Sequence, residues 1–214
     1  MDEAGFNLIM NIMSSIQVFL YAACMTAFFY PFMAGRKEPG KSRIKKVLMV
    51  FAVYMVMYFI GMTTSVYGWL CMMAVIVLLA AASKFLDMER EFTMLLGVLF
   101  FCARKLSALV MRSVSFVVDK RLEQKAETLE MTKSIFSRAA SNYAFVAVLQ
   151  MLLLSVMLCV MGRLLKKKIR KLHIKELCYL LLIPITGILF VNIIFNILLI
   201  VNENLVFQLY EQFP

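Results

Sequence analysis

Apolar residues run along this chain in long blocks separated by short polar interruptions. A helix that crosses a bilayer needs roughly 20 mostly apolar residues, and on that measure the interruptions predict six spans. They are Phe6 to Met33, Val47 to Thr64, Tyr67 to Ser83, Phe92 to Val118, Tyr143 to Gly162, and Leu177 to Asn202. Only Ser65 and Val66 join the second and third, which predicts a tight hairpin. Residues 119–142 form the one long connection. Leu122, Ala126, Leu129 and Phe136 within it have the spacing of a short amphipathic helix lying on a membrane surface, beside the plainer expectation of a solvated connector. The predicted fold is an all-α polytopic bundle of about six transmembrane helices, forming a single sensor-sized domain over residues 1–214.

Composition agrees with the pattern. Of 214 residues, 63% are hydrophobic and 17% charged, whereas soluble domains have roughly 45–50% and 25%. An ordinary water-soluble domain is excluded, and so is a disordered tail, which needs few apolar residues. The net charge of +10 would point to nucleic acid in a soluble protein, but here the basic runs lack a folded reading element. A membrane protein instead gathers Lys and Arg in its cytoplasmic loops. The five cysteines lie in or beside apolar blocks with no C-x-x-C spacing, so they are expected to pack as small hydrophobes, with neither disulfide, metal nor cofactor.

The loops set the expected orientation. Residues 34–46 and 163–176, with Lys84 and Arg90, hold fifteen Lys and Arg, against five in the connection 119–142. The basic side belongs in the cytoplasm and should meet anionic headgroups of the lipid bilayer. The acidic start Met1-Asp2-Glu3-Ala4 is unlike a secretory signal peptide, so the first span is expected to be retained with the N-terminus outside. Trp69, Tyr67, Tyr143 and Tyr210 then fall at outer boundaries, and Tyr30 and Tyr179 at inner ones, as aromatic belts do.

Candidate chemistry concentrates in the fourth span, where Arg104, Lys105 and Arg112 interrupt an apolar run. Rising about 1.5 Å per residue from Phe92, the helix carries Arg104 roughly 18 Å deep. A basic residue there costs about 2.5–3.5 kcal/mol, while each Leu, Ile, Phe or Val returns about 0.3–0.6. The fourteen such residues of this span balance the first two charges and little more. Intramembrane charges usually pair or face water, yet the apolar interiors of the spans contain no Asp or Glu. Neutral polar groups are available instead. Asn7, Asn11 and Ser14 share one face of the first span, and Asn192 and Asn196 one face of the sixth. Two readings stay open. One is a cation-lined cavity open to the outside, taking an anionic or peptide ligand through Arg104, Lys105, Arg112, Asn11, Asn192 and Asn196. The other has the cations snorkelling to the interface while the asparagines hold helices together. Pro184 and Gly187 predict a kink in the sixth span, a candidate hinge. His173 is expected to be a solvated loop residue. No nucleotide loop, nucleophile elbow or acidic metal pair occurs, so no enzyme activity is expected.

Several phrases carry a resemblance. Tyr30-Pro31-Phe32-Met33 exits into a basic loop, a later basic loop leads into Glu176-Leu177-Cys178-Tyr179-Leu180-Leu181-Leu182-Ile183-Pro184, and the chain closes on Phe207-Gln208-Leu209-Tyr210-Glu211-Gln212-Phe213-Pro214. With the acidic start, this resembles the membrane sensor of Agr-type, GHKL-class receptor histidine kinases. The resemblance implies a multi-pass protein of a bacterial cytoplasmic membrane. It further implies the sensing of an extracellular peptide in two-component quorum signalling, and work as a homodimer or with a kinase partner. Neither a phosphoacceptor helix nor an ATP-binding domain is in this sequence, so a fragment or a sensor-only relative is expected. The alternatives are a small transport component that binds substrate for a separate energising module, and a scaffold packed against a partner membrane protein.

Overall fold

Long apolar runs without interior proline favour helices, whose backbone groups are satisfied within the segment. The computed structural model describes residues 3–33, 40–64, 68–123 and 132–168, with Leu182, Thr186, Gly187 and Ile193. Among these residues it is all helical: α1 Glu3–Phe29, α2 Gly40–Thr64, α3 Gly68–Ala81, α4 Arg90–Glu123 and α5 Thr132–Lys168. Four stretches, Asn11–Phe29, Ser42–Gly61, Arg90–Met111 and Ser141–Lys166, are long and apolar enough to cross a membrane.

The helix ends have local causes. Pro31 lacks an N–H and disfavours helical backbone in the residue before it. Accordingly α1 stops at Phe29 and closes with turns from the Phe32 and Met33 amides to the Phe29 carbonyl. After Ala81 the chain tightens into successive turns, with Ser83 N–H on the Ala80 carbonyl and Asp87 N–H on that of Lys84. Asp87 has φ 53°, a left-handed conformation that Asp tolerates better than most residues. Glu91 then sits in the first turn of α4, where the helix dipole favours an acid.

Within the third predicted span, Tyr67 to Ser83, the described helix is Gly68–Ala81, 14 residues or about 21 Å of helix, with turns at 82–87 after it. Of the connection predicted over 119–142, α4 takes in Asp119, Lys120, Arg121, Leu122 and Glu123 and α5 the residues from Thr132 on; 124–131 lie outside the described residues. Lys, Arg, Leu and Glu are strong helix formers, so leaving the apolar phase does not end the helix. The sixth predicted span, 177–202, lies almost wholly outside the described residues. Within it, Thr186 Oγ1 donates to the Leu182 carbonyl at 2.8 Å.

The helices form a closed ring. Each packs on its neighbours in sequence, α5 closes against α1, and α4 also touches α1. Contacts of Gln17 with Tyr143 and Gln150, and of Cys24 with Ser155, show that α1 and α5 run parallel. The start of α1, the end of α4 and the start of α5 therefore share one end of the bundle.

Met25, Phe29, Leu79, Leu96, Phe100 and Leu154 form the centre of the core. α3 approaches α4 closely at Gly97, where an added Cβ would lie 3.1 Å from Ile76 Cγ1; small residues at such crossings let helices meet. On α5, Phe145, Val148, Leu152, Val156, Val160 and Leu164 are exposed at helical spacing. An apolar stripe of that length suits lipid and would be a liability in water.

Candidate functional site

Arg104 lies on α4, seven residues before the end of the stretch Arg90–Met111, about 10 Å along the helix axis. Its side chain turns into the bundle. Nη1 donates to Tyr54 Oη of α2 at 2.6 Å, and the guanidinium carbon stands 4.5 Å from the centre of the Tyr21 ring of α1. Tyr54 and Tyr21 are both buried. Tyr54 is fixed in turn by its rings' neighbours, stacking on Phe101 and meeting Phe100 edge to face.

A second set of polar groups joins α1 to α5 beside it. Gln150 Nε2 donates to Tyr21 Oη at 2.6 Å and Gln17 Nε2 to the same oxygen at 3.0 Å, while Tyr143 Oη donates to Gln17 Oε1 at 2.9 Å. Gln17 Nε2 also lies 3.4 Å from Gln150 Oε1. Helical spacing explains the convergence: Gln17 and Tyr21 are four residues apart on α1, and Tyr143 and Gln150 are seven apart on α5, so each pair shares a face. Buried amides without partners are costly; each amide here finds one across the seam.

The two sets border one cavity of about 350 Å³, lined by Ser14, Gln17, Tyr21, Arg104, Tyr143 and Gln150 among others. Among the described residues no carboxylate lines it. The energetics are balanced without one. A hydrogen bond to a charged group contributes about 1.5–3 kcal/mol and a desolvated cation–π contact about 2, comparable with the insertion cost of about 2.5–3.5 for an arginine. The guanidinium carries five N–H donors and, among the described residues, gives one hydrogen bond. What remains is a positive group with spare donors on a polar cavity wall. It can receive an anion or a carbonyl oxygen, and bidentate contact with a carboxylate is the geometry it favours.

Of the residues singled out from sequence, Arg104 lines the cavity. Lys105 follows it on α4, is exposed and is not in the lining; Asn11 of α1 is likewise exposed and outside it, its carbonyl accepting from Ser15 Oγ at 2.8 Å. Arg112 is on α4, and its side chain is outside the described residues, as are Asn192, Asn196 and Pro184. An added Cβ at Gly187 would meet nothing within 4 Å. Tyr21, Tyr54, Gln17 and Gln150 were not anticipated, and Tyr143 was expected only as a belt residue. The signal that could have found them is the i, i+4 and i, i+7 spacing of Gln and Tyr within apolar helices. Among the described residues no three His, Cys, Asp or Glu side chains cluster closely enough for a metal ion.

No family model, no curated protein and no solved structure matches this chain. Among the described residues the fold is an all-helical bundle with four helices long and apolar enough to cross a membrane. Any more particular function has to come from the chemistry of the cavity.

Proposed function

We propose that the chain is the membrane-embedded, ligand-sensing region of a signal-transduction receptor, of the kind found in Agr-type sensor histidine kinases. It would act on an extracellular peptide or anionic signal. In this reading it crosses a bacterial cytoplasmic membrane six times with the N-terminus outside, so the cavity opens toward the outer face. A kinase partner or a second copy takes up the signal.

The observation that carries the reading is the placement of Arg104, a cation from α4 that engages α2 through Tyr54 and α1 through Tyr21 on the wall of a polar cavity. A ligand anion that draws the guanidinium away must loosen two interhelical contacts at once. Binding then has different affinity for two packings of the bundle, and that difference is what can transmit a signal. The contact of Gln150 with Tyr21 extends the coupling to α5.

The test is a thermal-shift screen of the purified protein against unmodified tripeptides and monocarboxylates. A compound that raises Tm for the parent and not for Arg104→Leu supports the site. The same compound is then offered to proteoliposomes. Binding without accumulation agrees with sensing, and accumulation inside the vesicles would move the assignment to transport. No stabilising compound in either class would count against the reading.

A further inference from the structure

The seam between α1 and α5 holds a second cavity, of about 380 Å³, bordered by Cys24 and Phe28 of α1 and by Leu158, Gly162, Arg163 and Lys166 of α5. It is separate from the Arg104 cavity in residues and in chemistry. Its walls are mainly apolar, its two cations sit together at one end, and none of its described lining residues is acidic. Arg163 and Lys166 are exposed and close the apolar stretch Ser141–Lys166, so they stand at the depth where an apolar phase gives way to water. Toward the middle of the bundle the trough reaches Cys24 and Ser155, whose side chains meet across the seam at 3.9 Å. From Ser155 to Lys166 is eleven residues, about 16 Å along the axis, close to half the ~30 Å hydrocarbon thickness.

Gly162 is part of the trough wall and leaves space in front of it unfilled. A Cβ there would make only ordinary contact with Phe28 Cε2, at 3.9 Å, so the backbone does not require glycine and a larger side chain would extend into the space. The outward stripe of Val156, Val160 and Leu164 flanks it on the same helix.

The geometry points to a binding site for one anionic phospholipid, with an acyl chain along the trough between Phe28 and Gly162 and the headgroup phosphate on Arg163 and Lys166. Charge decides the class of occupant. Two adjacent cations, with no acid among the described residues of the lining, attract an anionic headgroup, and an apolar channel of one-leaflet length accepts its chain. The site does not depend on Arg104 or on sensing.

The purified protein in neutral detergent is titrated with phosphatidylglycerol or phosphatidylcholine while Tm is followed. Phosphatidylglycerol should raise Tm saturably, as a ligand of the folded state does, and phosphatidylcholine much less. The pair Arg163→Gln and Lys166→Gln should weaken the apparent affinity about tenfold. Gly162→Leu, with both cations intact, should remove the effect by filling the trough. Lys84→Gln with Arg90→Gln, an equal charge change at the same end of the bundle and outside the trough, should leave it in place. Equal response to the two lipids would overturn the site, as would a loss in the Lys84 and Arg90 pair as large as in the Arg163 and Lys166 pair. An undiminished effect in Gly162→Leu, or a concentration-dependent dimer that Gly162→Leu abolishes, would also overturn it. If Gly162→Leu does not fold, the two charge pairs, which replace exposed side chains, still decide.

Discussion

Lys46 and Arg104 are both basic residues drawn into the bundle, and they are held in opposite ways. Lys46, near the start of α2, is buried and donates to the Asp87 carboxylate. Asp87 itself is presented by the left-handed turn between α3 and α4. Beside it Arg43 stacks on the Tyr30 ring at 3.9 Å, so this end of the bundle is fastened by charge against charge and cation against ring. Arg104, nearer the other end, meets among the described residues a phenol hydroxyl and an aromatic face and no carboxylate. A cation with a carboxylate is neutralised and serves to fix a loop. A cation satisfied by neutral groups keeps its field and most of its donors, and so stays available to something that arrives.

That contrast gives variants of graded effect. The largest is expected at the neutralised cation. Asp87→Ala removes the carboxylate to which buried Lys46 donates, and should cost about 2 kcal/mol, below the 3–5 of a fully buried pair because Asp87 is partly exposed. Asp87→Asn keeps the turn residue suited to positive φ and so separates loss of charge from backbone strain. Adding Lys46→Met to Asp87→Ala should recover part of the loss, because the buried cation is removed with its carboxylate. Denaturation in detergent, followed by helical circular dichroism, measures all three.

Next is Tyr54→Phe, which removes the acceptor for Arg104 and should cost about 1.5 kcal/mol by the same measurement. Arg104→Leu should change stability by less than about 1 kcal/mol, because the lost contacts are offset by the insertion cost no longer incurred. A large loss there would make Arg104 a structural tie like Lys46 and erase the distinction. The smallest effect is expected from Gln150→Leu, about 0.6 kcal/mol, the average worth of a hydrogen bond between helices in a membrane.

How far the sequence carries one into this molecule differs by element. The spans at 6–33, 47–64, 92–118 and 143–162 are legible because each is a long apolar block, and the four long apolar helices coincide with them. The tail of α4 and the head of α5 were not, because hydropathy marks where a helix leaves the apolar phase and says nothing of where its hydrogen bonding stops. Arg104 was legible for an energetic reason: a cation within an apolar run demands an explanation. Its partners were hidden by their own ambiguity. Tyrosine reads equally as core, belt or hydrogen-bond donor, and Gln17 and Gln150, each alone in an apolar helix, acquire meaning only once α1 and α5 are known to lie parallel. Asn11 shows the converse, a polar residue on a suggestive face that points away from the cavity lining.

The central claim is that Arg104 makes an aqueous cavity selective for anions. The direct measurement replaces Cys24, Cys71, Cys102, Cys159 and Cys178 with alanine and introduces Ala108→Cys in the cavity wall. Modification rates are then compared for an anionic sulfonate and a cationic ammonium methanethiosulfonate of similar size. The anionic reagent should react faster, on the order of tenfold, and Arg104→Leu should abolish the preference. A thiol that neither reagent reaches, or a charge preference unchanged by Arg104→Leu, would contradict the account.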